Sequence, residues 1–257
     1  LIKKEGFFNS IIFTAASDER KFLRKKLMAS SQGFIDRESI KNNVYEYSFF
    51  LELEHLELLS LENVGDAPGA LLQRARVKKN ESLILSKKDT RLATLDEAIK
   101  ILENDKIKLR DYLSDDELKE WGHLKQKEIA IILEIKASNH SDYNEKVKIY
   151  NKVLGHYRRS ASAYNYYRTQ AMNHYYELMI MIEKNQNIKK IAETASLILE
   201  DYDKGYYHGR DTIRNAIVDL IITTSLINKT DKESLDILYE RSLKETEKNI
   251  FLPDRQK

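Results

Sequence analysis

The chain has no cysteine, only two prolines and only eight glycines in 257 residues. Without thiols there are no disulfides, no thiolate metal sites and no cysteine nucleophile, which fits a reducing, cytoplasmic setting. Sheets, tight hairpins and phosphate-cradling loops place Gly and Pro at their turns. Their scarcity therefore points to long helices joined by short loops. An excess of one charge is also lacking. The 43 Lys and Arg meet 41 Asp and Glu, and the net +2 steers toward neither nucleic acid nor an anionic membrane. No apolar run approaches the roughly 18 residues of a membrane span. The stretch 7–16 follows two lysines and loosely mimics a signal peptide. Asn9 and Ser10 interrupt it, and a first core helix is the preferred reading. The chain opens on Leu1 rather than methionine, as a trimmed chain would.

What is present is helical periodicity from end to end. Residues 7–16 and 18–30 read as two short opening helices. Asp36 is suited to cap a long helix reaching about residue 62, because its carboxylate can accept free first-turn amides. Gly65, Pro68 and Gly69 mark a breaker over 63–69, and a long, mostly polar helical stretch follows over 70–104. Ser114, Asp115, Asp116 and Glu117 form a capping-box pattern. The helix they open carries Ile129, Ile131, Ile132, Leu133 and Ile135. Further helices are expected over 142–159, 161–184, 187–203, 210–228 and 231–249, and no alternating stretch competes as a strand. Segments 142–154, 187–199 and 231–243 each open polar and end on Leu, as stacked helix pairs of a solenoid would. Tetratricopeptide units differ, since their repeat is about 34 residues and Lys146 stands where they need a small side chain. The expectation is one all-α domain over 1–257, of about nine to ten antiparallel helices, with 231–249 an extra C-terminal helix.

Several local patterns in the second half point to one family. His174-Tyr175-Tyr176-Glu177-Leu178 is similar to Phe-Tyr-Tyr-Glu-Ile of the 14-3-3 proteins. Ile191-Ala192-Glu193-Thr194-Ala195 resembles their Leu-Ala-Lys-Thr-Ala, Leu133-Glu134-Ile135 their Leu/Ala-Glu-Val, and Tyr150 a core tyrosine. Residues 207–224 match the family's last helix in length, with Asp219 on its aspartate. The order is co-linear over 121–225, and helix order carries the rest.

The resemblance implies a cup-shaped bundle of antiparallel helices, homodimeric through its first four. It implies a non-enzymatic adaptor whose groove takes a phosphorylated or unphosphorylated segment of a partner protein, with no cofactor, metal, nucleic acid or membrane. In the family, one Lys, two Arg and a Tyr hold the phosphate through forked, charge-assisted bonds. Here those positions fall on Ser48, His55, Ala130 and Ile131. The groove's amide and glutamate positions fall on Gln170 and Glu177, with Asn173 on the same helix. Leu220 replaces the last-helix Asn, Thr224 the groove-closing Trp, and Ala216 completes that wall. The third helix is acidic where the phosphate would sit, with Tyr45, Ser48, Glu52 and His55 on one face. Charge-assisted bonds are worth roughly 1.5–3 kcal/mol each. Losing three implies about a thousandfold weaker phosphopeptide binding. His123 and Lys127, at i and i+4, are the nearby cations; two solvated surface residues is the plainer reading.

Other motifs carry less. Glu52/His55 and Glu120/His123 are two Glu-x-x-His pairs, but the further glutamates of a di-iron bundle are not evident. Arg168 and His174 loosely resemble the Arg-x4-6-His of HEPN-like helical ribonucleases and toxins, which is the alternative in another class; a generic helical-repeat scaffold is the third. Eleven of the 15 tyrosines lie between Tyr143 and Tyr207. Tyr143, Tyr150, Tyr157 and Tyr164 recur every seventh residue; helix packing is preferred over base stacking for them.

Overall fold

The computed structural model describes residues 17–27, 35, 37–104, 108–184, 186 and 188–204. The expected helices at 7–16, 210–228 and 231–249, and the cap Asp36, lie outside the described residues, as do Ala216, Leu220 and Thr224. Every regular element among the described residues is helical, and none of these helices is long and apolar enough to cross a membrane. The chain divides into two compact units, Leu1–Asn139 and His140–Lys257.

The first unit holds α1 (17–27), α2 (Arg37–Asn42), α3 (Val44–Asn63), α4 (Ala67–Ile84), α5 (Lys88–Leu102), a 3-10 turn (Leu109–Asp111) and α6 (Asp115–Ser138). Two long helices expected from sequence are broken. The stretch reaching residue 62 is interrupted at Asn43, whose φ of −140° and ψ of 49° are not helical. The polar stretch 70–104 breaks at Leu85, where ψ of 131° turns the chain out. Arg91 secures that break: its Nη1 donates to the carbonyls of Leu85 at 2.9 Å and Ser86 at 2.6 Å. It thereby satisfies acceptors that a helix end would leave open.

The breaker at 63–69 is a tight turn. Gly65 sits at φ 74°, a left-handed conformation that costs glycine nothing. Asp66 then caps α4 by accepting the Gly69 N–H at 2.9 Å, with Pro68 in the first turn. A side chain at Gly69 would collide with the Asp66 carboxylate. The capping box at α6 is present: Glu117 accepts the Ser114 N–H at 2.9 Å, and the Ser114 hydroxyl accepts the Glu117 N–H at 3.4 Å. α4 packs on α3, α5 and α6, and Leu71, Ala75, Val77 and Leu83 of α4 are buried, as are Tyr47 and Phe50 of α3, Leu95 of α5, and Ile132 and Ile135 of α6.

The second unit is an antiparallel run of α7 (Tyr143–Arg159), α8 (Ala163–Glu183) and α9 (Ile188–Lys204), with α8 packed on both neighbours. Asp142 caps α7 through the Asn144 N–H at 2.8 Å. Toward α9, Ala171, Leu178, Ile191, Ala195 and Ile198 form a core, flanked by Tyr175, Met181 and Ile182. Toward α7, two members of the seven-residue tyrosine repeat pack inward: Tyr150 is 6% exposed and Tyr157 1%. The Tyr150 and Tyr143 rings meet Tyr176 at centroid distances of 5.4 and 5.9 Å. Burial, with Tyr175 and Tyr143 adding to it, pushes the Tyr176 hydroxyl up to about 12. Lys146 lies 4.6 Å above the Tyr176 ring, a cation–π contact that explains a long side chain at that position.

Candidate functional site

Ser48 and His55 lie on the outer face of α3. The Ser48 hydroxyl donates to the Val44 carbonyl at 3.0 Å, and His55 Nε2 stands 3.4 Å from Glu81 Oε1. The same helix exposes Tyr45, Phe49, Leu56 and Leu59, so the two residues sit in an apolar surface. On α6, His123 is half-buried and Lys127 exposed. Ala130 is wholly buried, so it cannot touch a ligand. Ile131 lines an internal cavity beside cations that the sequence reading left aside.

That cavity belongs to an ionic cluster built from four helices. Glu54 of α3, 3% exposed, accepts from Gln73 Nε2 at 3.0 Å and Asn80 Nδ2 at 3.4 Å. Arg20 of α1 pairs with Glu54 at 3.5 Å and with Glu57. Glu128 of α6, also 3% exposed, accepts from Lys79 Nζ at 2.5 Å and Arg76 Nε at 3.1 Å. Burial alone would raise the Glu128 carboxyl, but Lys79 and Arg76 outweigh it and hold the group at about 2. Burial pushes the Lys79 ammonium down; Glu128 opposes this, and Arg24 and Arg76 add to it. Arg24 of α1 completes the lining and has no carboxylate partner among the described residues.

In the second unit, Gln170, Asn173 and Glu177 follow one another at i, i+3 and i+7 along one face of α8. Gln170 and Glu177 are half-buried, and Asn173 is 4% exposed. Asn173 Nδ2 donates to Asn151 Oδ1 of α7 at 3.1 Å, while Asn173 Oδ1 is buried with no partner. Such an orphan acceptor costs roughly 1–3 kcal/mol. Next to this row, His174 Nδ1 is 2.8 Å from Asp201 Oδ2 of α9, and Asp201 is 2% exposed.

Arg168 and His174 do not converge. Arg168 Nη2 lies 3.5 Å from the Tyr157 hydroxyl on the α7 side of α8, and His174 faces α9. At six residues apart they stand about 120° apart around the helix. Neither Glu-x-x-His pair gathers further ligands: among the described residues, no three His, Asp or Glu side chains come within metal-holding range.

The sequence reading missed the ionic cluster in which Glu54, Lys79 and Glu128 are buried and Arg20, Arg24 and Arg76 half-buried. Its one sequence signal is the run of polar residues Gln73, Lys79, Asn80 and Ser82 on the inward side of α4. Comparison with family models, with curated proteins and with solved structures returns no match.

Proposed function

We propose that the protein is a non-enzymatic adaptor that docks an extended segment of a partner protein along the polar face of α8. The 14-3-3 resemblance, with its cup of nine to ten antiparallel helices and its homodimer, is part of the same proposal. The carrying observation is the row of Gln170, Asn173 and Glu177, in which the buried Asn173 carbonyl oxygen has no donor. An extended peptide presents backbone N–H and C=O groups in alternation, which side-chain amides and a carboxylate can answer. A peptide N–H reaching Asn173 would relieve the orphan acceptor. Because that oxygen is closed off from water, docking includes a small opening of the side chains over it.

Phosphate is not required in this reading. The four positions aligned with the family's phosphate pocket are the exposed Ser48 and His55, the buried Ala130 and the cavity-lining Ile131. None offers an arginine fork. The apolar outer face of α3 adds a second reason to expect a protein partner, since exposed apolar patches mark interaction surfaces.

A randomised peptide library, displayed in phosphorylated and plain versions, tests this. The wild-type protein should enrich a subset of peptides without regard to phosphate. Asn173→Leu should weaken those peptides at least tenfold with unchanged far-UV circular dichroism. Failure to enrich any peptide would end the adaptor reading. Equal affinity for wild type and Asn173→Leu would remove the α8 face from it.

A further inference from the structure

The net charge of +2 conceals a segregation of charge within the second unit. From residue 146 to residue 176 there is no Asp or Glu, while the same stretch carries six Lys or Arg and seven Tyr. Beyond residue 204 the chain is balanced, with nine Lys or Arg against nine Asp or Glu. The carboxylate-free stretch covers most of α7, the corner after it and much of α8.

Cations gather on the outer side of α7. At about 100° per residue, Lys148, Lys152 and Arg159 fall within about 40° of one another, in a ridge about 16 Å long. All three are exposed. Lys148 meets Glu145 at 2.6 Å at the foot of the ridge, a surface pair of the weak kind. Gly155 lies in the same stripe, between Lys152 and Arg159. Glycine weakens a helix interior. No packing asks for it here, since a side chain at Gly155 would meet nothing within 4 Å. What it does provide is room for a ligand backbone to approach α7 between the cations.

Aromatic surface stands at the end of the ridge. The Arg158 guanidinium lies over the Tyr166 ring, 5.3 Å from its centroid, and its Nη2 donates to the Tyr166 hydroxyl at 2.8 Å. Arg158 is exposed, so it is held in place without being buried. Tyr167, partly exposed like Tyr166, packs edge-on against it at 5.4 Å. Single strands bind to this combination, with phosphates on the charges and bases on the rings. A lipid surface is disfavoured, because it requires an exposed apolar face. Among the described residues, none of the exposed large hydrophobic side chains lies on α7 or α8. A duplex is disfavoured as well, because its stacked bases offer no face to Tyr166.

We propose that the outer ridge of α7 and the α7–α8 corner bind single-stranded nucleic acid. Its phosphates lie along Lys148, Lys152 and Arg159, and a base stacks on the Tyr166–Arg158 pair. The site is independent of the peptide-binding reading and rests on different residues.

The experiment uses the full chain and a fluorescein-labelled oligouridine, followed by anisotropy at several salt concentrations. Binding should weaken with salt, with a log–log slope of about −2 to −3, since each phosphate neutralised on a single strand contributes about −0.7. Gly155→Glu places a carboxylate in the ridge where there is room for it, and should weaken binding at least tenfold with unchanged circular dichroism. Lys152→Gln should flatten the slope by about 0.7. Tyr166→Leu should weaken binding roughly fivefold or more and leave the slope in place. Lys190→Gln, which removes one charge from the exposed side of α9, should change neither. No binding by the wild type at low salt would overturn the proposal, as would unchanged binding by Gly155→Glu. Polyglutamate competing as well as oligouridine, with Tyr166→Leu neutral, would also overturn it in favour of an acidic protein partner.

Discussion

The ammonium of Lys79 on α4 and the carboxylate of Glu128 on α6 meet at 2.5 Å, with both side chains almost entirely out of water. Two charges brought into a low-dielectric interior depend on each other. Their mutual attraction offsets desolvation, and loss of one leaves the other uncompensated. Arg76 shares Glu128 at 3.1 Å, so the carboxylate serves two cations on adjacent turns of α4.

Glu128→Gln should therefore destabilise the first unit by roughly 3–5 kcal/mol, the range for breaking a buried pair from one side. Urea unfolding monitored by circular dichroism measures it. A change under about 1 kcal/mol would mean that water reaches the pair freely.

Acid should act on the same group. The Glu128 carboxyl is held at about 2 against an ordinary value of 4.5. A depressed carboxyl contributes stability above its unfolded value, and that stability is lost as pH falls through the folded one. The contribution, on the order of 3 kcal/mol, should be complete above about pH 5 and fade between about 4.5 and 2. The stability gap between wild type and Glu128→Gln should narrow over that window; a constant gap down to pH 2 would contradict it.

The imidazole of His174 is a donor partner of the buried Asp201 carboxylate, with Nδ1 2.8 Å from Oδ2. His174→Leu should cost roughly 1–3 kcal/mol. The double variant with Asp201→Leu should cost less than the sum of the two single changes, because the two residues interact directly. Strict additivity in the double-mutant cycle would show that the hydrogen bond has no energetic weight.

Ala161 links α7 to α8 at φ 52°, a left-handed conformation that a side chain disfavours by about 1–2 kcal/mol. Ala161→Gly should raise stability by roughly 0.5–1 kcal/mol, since glycine is the residue helices favour at this position. Thermal unfolding checks the sign. A lower midpoint would show that the methyl group makes contacts worth more than the strain.

Much of the helical layout could be read from sequence because it is written in local chemistry. The capping box at Ser114 and Glu117, the Asp142 cap and the turn at Gly65 each depend on residues a few positions apart. The break at Leu85 was hidden, because its cause is Arg91, which reaches back to two carbonyls. Of the candidate positions, Gln170, Asn173 and Glu177 share a face by helical spacing alone. The ionic cavity escaped notice for a different reason. Hydrophobic periodicity assigns Lys, Arg and Glu to solvent, while Arg76, Lys79 and Glu128 compensate one another across 49 to 52 residues of chain. A pattern search along one helix cannot see partners on another.

The guanidinium of Arg91 has one more acceptor: its Nε donates to Asn139 Oδ1, just past the end of α6, at 2.8 Å. One side chain thus joins the start of α5, the corner before it and the point where the chain leaves the first unit. The α4–α5 corner and the α6 terminus therefore share a registration mark. Sliding α5 by a single residue would rotate Arg91 by about 100° and release all three acceptors together. Length changes in the loop from α5 to α6 leave this mark untouched, whereas an insertion between residues 86 and 91 displaces it. Tolerance to insertions along this chain should accordingly be lopsided, high after Leu102 and low in the corner before Arg91.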